Sequence, residues 1–363
     1  MLEKAQHEGG PAFQNMPQAS RVALEGGREV PLTASELANL WASYLESSIK
    51  EQMMKYFLNT IEDPEIGEIL EYTMGIARKH LGWLDDLYTR ENHPIPRGFT
   101  GEDVNPDAPR LFSDSFILFF LQHLTITRME GYTTAMQMST RTDVRQFFSE
   151  CLADPVEIYN RVVSVMQTRG ILIRAPQINI PGKVDFVKNK NYFTGFTGLL
   201  GRGRGLNSIE ISHLFHGLQK NAYREAVFKG FGQVAALQKV RQYMARGRQI
   251  SRKHVEIFSS LLIKNGLPVS MPWESGVLGT KVAPFSDKLM MQHCRVSSVV
   301  LFAAYGKAMP FVSTKRNLGL DFFRLMAEIF RYVKDGEDIL IKNGWYEKPP
   351  QFAGGREKDK LLH

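Results

Sequence analysis

Two histidines, His80 and His254, stand 174 residues apart, each directly after a lysine, Lys79 and Lys253. An imidazole there could ligate a metal, relay a proton or switch its charge near neutral pH. The most specific chemistry they suggest is a carboxylate-bridged di-metal centre inside a helical bundle. Such a centre takes a Glu from each of two helices and a Glu-x-x-His from each of the other two, its hard oxygen ligands balancing the charge of the metals. The residues do not meet that count. Three positions before the histidines stand Ala77 and Ser251, not Glu. No histidine lies between His123 and His213 or between His293 and His363, where the remaining Glu-x-x-His would fall. No Asp or Glu lies between Asp287 and Asp321.

A smaller metal site is conceivable in the second half alone. Glu210-x-x-His213 would share a helical face, and His216 and His254 are candidates to join it. The first half offers Glu36, Asn39 and Ala42 at the matching positions, so this site would belong to one half only. The plainer reading makes His80 and His254 equivalent core histidines that hydrogen-bond across a bundle. Apolar neighbours one turn away on either side, such as Ala77 and Leu84, or Ile250 and Phe258, favour it. We therefore expect no catalytic residue, no cofactor and no metal. Cys151 has no histidine or basic cluster beside it in sequence, so no activated thiol is expected. Two cysteines in different halves cannot staple a fold, which points to a reducing compartment.

The elements that must position these residues come in two copies. Thr33-Ala34-Ser35-Glu36-Leu37 returns as Asn207-Ser208-Ile209-Glu210-Ile211, Phe112-Ser113-Asp114 as Phe285-Ser286-Asp287, and Gly170 with Pro176 as Gly344 with Pro350. A period near 174 is a whole domain. Each copy reads as four long helices. A capping box opens the first (Thr33 with Glu36, Asn207 with Glu210). Asp63-Pro64 opens the second helix of the first copy. A Pro- and Gly-rich link from His93 to Phe112 has no helical period. Its length lets it run along a helix of about 40 Å and start the third helix at the far end. One long crossover of this kind defines the ferritin-like topology. The fold expected is all-α, two tandem ferritin-like four-helix bundles. The divisions are a mobile arm over 1–31, bundles over 32–176 and 206–350, a linker over 177–205 and a tail over 351–363. Each bundle has its own caps and apolar stripes, so each is expected to fold by itself.

The linker mixes Lys183, Lys188, Lys190, Arg202 and Arg204 with Phe186, Tyr192, Phe193 and Phe196. That mixture can hold single-stranded nucleic acid. No strand precedes Gly198-Leu199-Leu200-Gly201 and no phosphate-loop lysine follows it, so we read an aromatic-anchored linker lying on the bundles. A net charge of +7 over 363 residues is too diffuse for a nucleic-acid footprint. No apolar run approaches the roughly 20 residues of a membrane span, and no secretory signal opens the chain. The expected partners thus include no nucleic acid and no membrane, and the expected location is cytoplasmic.

Several segments together closely resemble one family. They are Leu32-Thr33-Ala34-Ser35-Glu36, Phe99 to Asn105, Ala108 to Asp114, Phe147 to Leu152, Ile211 to Phe215, Phe285 to Met291 and Ile341 to Trp345. The family is domain-of-unknown-function family 3231, and the likeness spans about Leu32 to Pro350. The resemblance implies tandem ferritin-like bundles from Gram-positive spore formers, related to spore coat protein F. It also implies incorporation into the spore coat, with other coat or bundle proteins as partners. It transfers no catalytic residue. The function expected is a non-catalytic structural or interaction protein. The alternative is a ligand- or metal-binding bundle using Glu210, His213, His216 and His254.

Overall fold

The computed structural model describes residues 30–194, 204–269 and 273–351. Most of the expected arm and tail, together with Phe196 and Gly198 to Gly201, lies outside them. Four helices form the first half: α1 (Ala34–Thr60), α2 (Pro64–Arg90), α3 (Asp114–Gln137) and α4 (Thr142–Thr168). Four more form the second: α5 (Ser208–Val234), α6 (Gln238–Ile263), α7 (Asp287–Val312) and α8 (Arg316–Lys342). No β-strand forms among the described residues. Both capping boxes are present, at Thr33 with Glu36 and at Asn207 with Glu210. Gly170 and Gly344 end α4 and α8 at φ of 65° and 67°, a left-handed conformation that glycine adopts without steric cost.

Each half is a four-helix bundle with one long crossover. At one end Glu36, opening α1, accepts the backbone N–H groups of Thr140 and Arg141 at the α3–α4 turn, both at 2.8 Å. Arg141 also pairs with Glu91, closing α2, at 2.8 Å. At the other end Tyr56, late in α1, receives the backbone N–H of Leu111 at 2.7 Å and donates to Pro109 O at 2.9 Å. The link between α2 and α3 therefore travels the length of α1. Midway, Gly98 (φ 57°) lies so close to α1 that an added Cβ would meet the Ser48 side chain.

The two bundles do not stand apart. Their crossovers pair through two isolated antiparallel bridges, Val104 with Phe285 and Phe112 with Val277. A shift of 173 residues converts one bridge into the other. The backbone bonds obey the same exchange: Ser286 N to Asp103 O and Ser113 N to Gly276 O, both 2.9 Å. The aromatic contacts also come in exchanged pairs, Phe57 on Phe285 at 6.3 Å and Phe231 on Phe112 at 6.2 Å. Residue i on j answered by j on i is the signature of a two-fold interface, here within one chain. A single apolar cluster runs through both halves. Phe112, Phe116, Phe119 and Phe120 are all buried there, and each such side chain contributes about 1.5–3 kcal/mol.

The linker departs from expectation. Tyr192 is anchored, with Arg204 over its ring at 4.2 Å and its hydroxyl accepting from Asn207 Nδ2 at 3.2 Å. Ile180, Val184 and Phe186 are almost wholly exposed, however, so these three lie on neither bundle.

Candidate functional site

At the centre of the first bundle the four helices each contribute one polar side chain to a buried cluster. His80 of α2 is 2% exposed. Its Nε2 lies 2.9 Å from Asp154 Oδ2 of α4, and its Nδ1 lies 3.5 Å from the Tyr132 hydroxyl of α3. Lys50 of α1 is buried too, and burial pushes its ammonium down to about 8 although Cys151 and Asp154 pull it up.

The second bundle repeats the cluster with better geometry. His254 is fully buried. Its Nε2 is 3.0 Å from Glu328 Oε2 and its Nδ1 2.9 Å from the Tyr305 hydroxyl, which accepts from Asn221 Nδ2 at 2.7 Å. A carboxylate only accepts, so Nε2 of each histidine carries the proton and Nδ1 accepts from tyrosine. Burial holds both imidazoles below their ordinary range in spite of the acids beside them, so they are neutral. The His254 bond, helped by the ion pair with Lys253, holds Glu328 down to about 2. Arg224 takes the place of Lys50. It is buried and donates to Ser298 Oγ at 3.0 Å, while its Nε and Nη1 lack partners among the described residues. Burial lowers its affinity for the proton.

The di-metal centre does not fit this donor set. Each bundle centre has one imidazole and one carboxylate, already bonded to each other, beside a buried cation that would repel metal ions. The four candidates for a site in the second bundle are not brought together. Glu210 is fully buried and held by Arg204 (2.6 and 2.8 Å), Asn207 N (3.0 Å) and Thr314 Oγ1 (3.2 Å). Burial works to raise its carboxyl, but these bonds bring it below its ordinary range. His213 stacks on Phe311 at 5.3 Å. His216 faces Glu130 of the first bundle at 3.9 Å, and His254 belongs to the central cluster. Among the described residues no group of three or more His, Cys, Asp or Glu could hold a metal.

Cys151 needs a correction. A histidine does stand beside it, with Sγ 3.4 Å from His80 Nε2. Burial nevertheless raises the thiol well above its ordinary value, outweighing the pull of Lys50. Because the Nε2 proton already goes to Asp154, His80 cannot act as base towards Cys151. Sequence reasoning missed Lys50, Arg224, Tyr132, Tyr305, Asp154 and Glu328. A signal was available, since each pair recurs at the repeat offset of 173 or 174 as a polar residue on an otherwise apolar face.

Fold and site together define a class: a covalently duplicated four-helix-bundle protein with a histidine–carboxylate cluster at each bundle centre. The chain belongs to the family described as protein of unknown function (DUF3231), whose model matches residues 24–184 and again 194–357. No curated protein matches it. Among solved structures it is similar to a protein of Bacillus halodurans C-125 provisionally described as a spore coat protein. The identity is 17% over 41% of this chain and 97% of that one, with a TM-score of 0.37. So loose a superposition transfers neither fold nor role. No helix among the described residues is long and apolar enough to cross a membrane.

Proposed function

We propose that this protein is a non-catalytic structural or interaction protein of ferritin-like type, deposited in or near the spore coat. The carrying observation is the state of the bundle centres. In both copies the histidine is buried, is bonded to a half-buried carboxylate, and shares its space with the protein's own buried Lys50 or Arg224. A metal would meet there one imidazole, already bonded to its carboxylate, and a buried cation that repels it. A buried hydrogen-bonded cluster can instead fix how helices pack, since each member has one partner geometry that satisfies it. The coat assignment rests on the family resemblance, which makes other coat or bundle proteins the partners.

Two measurements test this. Protein purified without chelator should carry well under one transition metal per chain, and added iron should show no ferroxidase turnover. Stoichiometric iron or manganese would overturn the non-catalytic reading. Quantified in the source organism, the protein should be enriched in coat extracts of purified spores over growing cells. Absence from those extracts would remove the coat assignment and leave the rest standing.

A further inference from the structure

A cavity of about 380 Å³ opens where the two bundles meet, a size ordinary for small-molecule sites. Ile126 of α3, Val163 of α4, Leu172 beyond α4 and Phe215 of α5 give it apolar walls. Its polar end is cationic: Lys220, Arg174 and His216 all line it. The Lys220 side chain is 93% buried, and its ion-pair partner Glu130 stands at 4.0 Å, beyond hydrogen-bond reach. Gln219, also in the lining, has a buried Oε1 with no donor among the described residues. Burial, then Lys220, His213 and Lys307, push His216 down to about 4. Against these cations the acid is Glu130 alone among the described groups paired there.

In the other half of the molecule the matching place is filled by the chain itself. By the repeat offsets, Trp41, Leu45 and Arg295 correspond to Phe215, Gln219 and Gln122, and Tyr346 and Glu347 to Leu172 and Ile173. There the space has shrunk to about 20 Å³. Tyr346 fills it, with its hydroxyl accepting from Arg295 Nη2 at 2.9 Å. The Glu347 carboxylate accepts the backbone N–H groups of Arg97 and Gly98 at 3.1 and 3.0 Å. An aromatic ring and a carboxylate thus plug one position, while its counterpart has the smaller, uncharged Leu172 and Ile173 beside the larger space. We infer that the open cavity binds a small apolar carboxylate, with its chain or ring against Ile126, Val163 and Phe215 and its charge on Lys220. The ammonium gains an anionic acceptor closer than Glu130 at 4.0 Å, which gives the carboxylate its advantage over a neutral analogue.

Calorimetric titration of the full chain at low salt with 3-phenylpropionate and with 3-phenylpropanol tests this. The carboxylate should bind saturably and at least tenfold more tightly than the alcohol. Lys220→Met should abolish that preference, and Ile173→Trp, which fills the cavity, should abolish binding of both. In an NMR titration the His216 ring should take up a proton at higher pH when the carboxylate is bound. Equal affinity for acid and alcohol, no saturable binding, or a preference that survives Lys220→Met would overturn the assignment. If Lys220→Met does not fold, persistence of binding in Ile173→Trp is by itself sufficient to refute it.

Discussion

Acidification should loosen this protein at the junction of its bundles. His123 stacks on Tyr223 at 4.6 Å with its Nδ1 donating to Phe119 O at 3.1 Å, and His293 Nε2 is hydrogen-bonded to the Tyr223 hydroxyl at 2.8 Å. Charged groups around them include Lys220 for His123 and Arg128 for His293, the latter paired with Glu46. Burial, then these cations, push His123 down to about 3 and His293 down to about 4. An unfolded histidine titrates near 6.5. Because the folded values are depressed, the stabilisation is complete above pH 6.5 and is lost as pH falls, since the unfolded chain takes up protons that the folded one refuses. From 6.5 to 5 is about 1.5 units, so each histidine loses about 2 kcal/mol, at about 1.36 kcal/mol per unit. The pair then loses about 4 kcal/mol by pH 5. That is a large part of a total stability of about 5–15 kcal/mol. The buried His80 and His254, also depressed, add to it with the same sign. Denaturant unfolding at constant salt from pH 8 to pH 4.5 measures the slope. His123→Phe, which keeps the stack on Tyr223, should recover about 2 kcal/mol at pH 5 and nothing at pH 8. A stability flat to within 1 kcal/mol between pH 8 and pH 5 would refute the reasoning.

Three further outcomes are expected. Residues 32–176 expressed alone should be molten or should associate, because Phe112, Phe116, Phe119 and Phe120 lose their cover. A monomer with a sharp melt on size exclusion and calorimetry would show that the shared core is dispensable. Gly247→Ala should cost about 1–3 kcal/mol, the usual penalty of overpacking, because its Cβ would overlap the Tyr332 hydroxyl in the stacked Tyr243–Tyr332 pair; an unchanged melting curve would contradict that packing. His254→Ala and His80→Ala at pH 8 should each cost about 1–3 kcal/mol by orphaning buried partners. His254 should cost more, since its tyrosine stands at 2.9 Å against 3.5 Å for His80, and equal losses would argue against the tighter relay.

Much of this architecture was legible in the residues, for a local reason. A helix start depends on a side chain reaching a backbone N–H three residues on, as Thr33 and Asn207 do, and its end on a glycine such as Gly170. The duplication lay open in paired landmarks, and the crossover in a Pro-rich link too long for a tight turn. His80 and His254 could be placed on buried stripes because helical periodicity says which face a residue shares with its neighbours.

What the stripe could not say is what stands opposite. Lys50, His80, Tyr132 and Asp154 converge from four helices spread over 104 positions, and their meeting depends on the rotation and height of each helix in the bundle. The same blindness placed Cys151 away from any histidine and grouped Glu210 with His213, whereas Arg204 and Thr314 claim Glu210. It also treated the bundles as separate. Phe112, Phe116 and Phe120 lie in the cluster shared by both halves, yet an apolar side chain looks the same in sequence whether it covers its own helices or a neighbour's. Only the tertiary structure decides that, because the burial of apolar surface has no direction and is satisfied by whichever surface arrives.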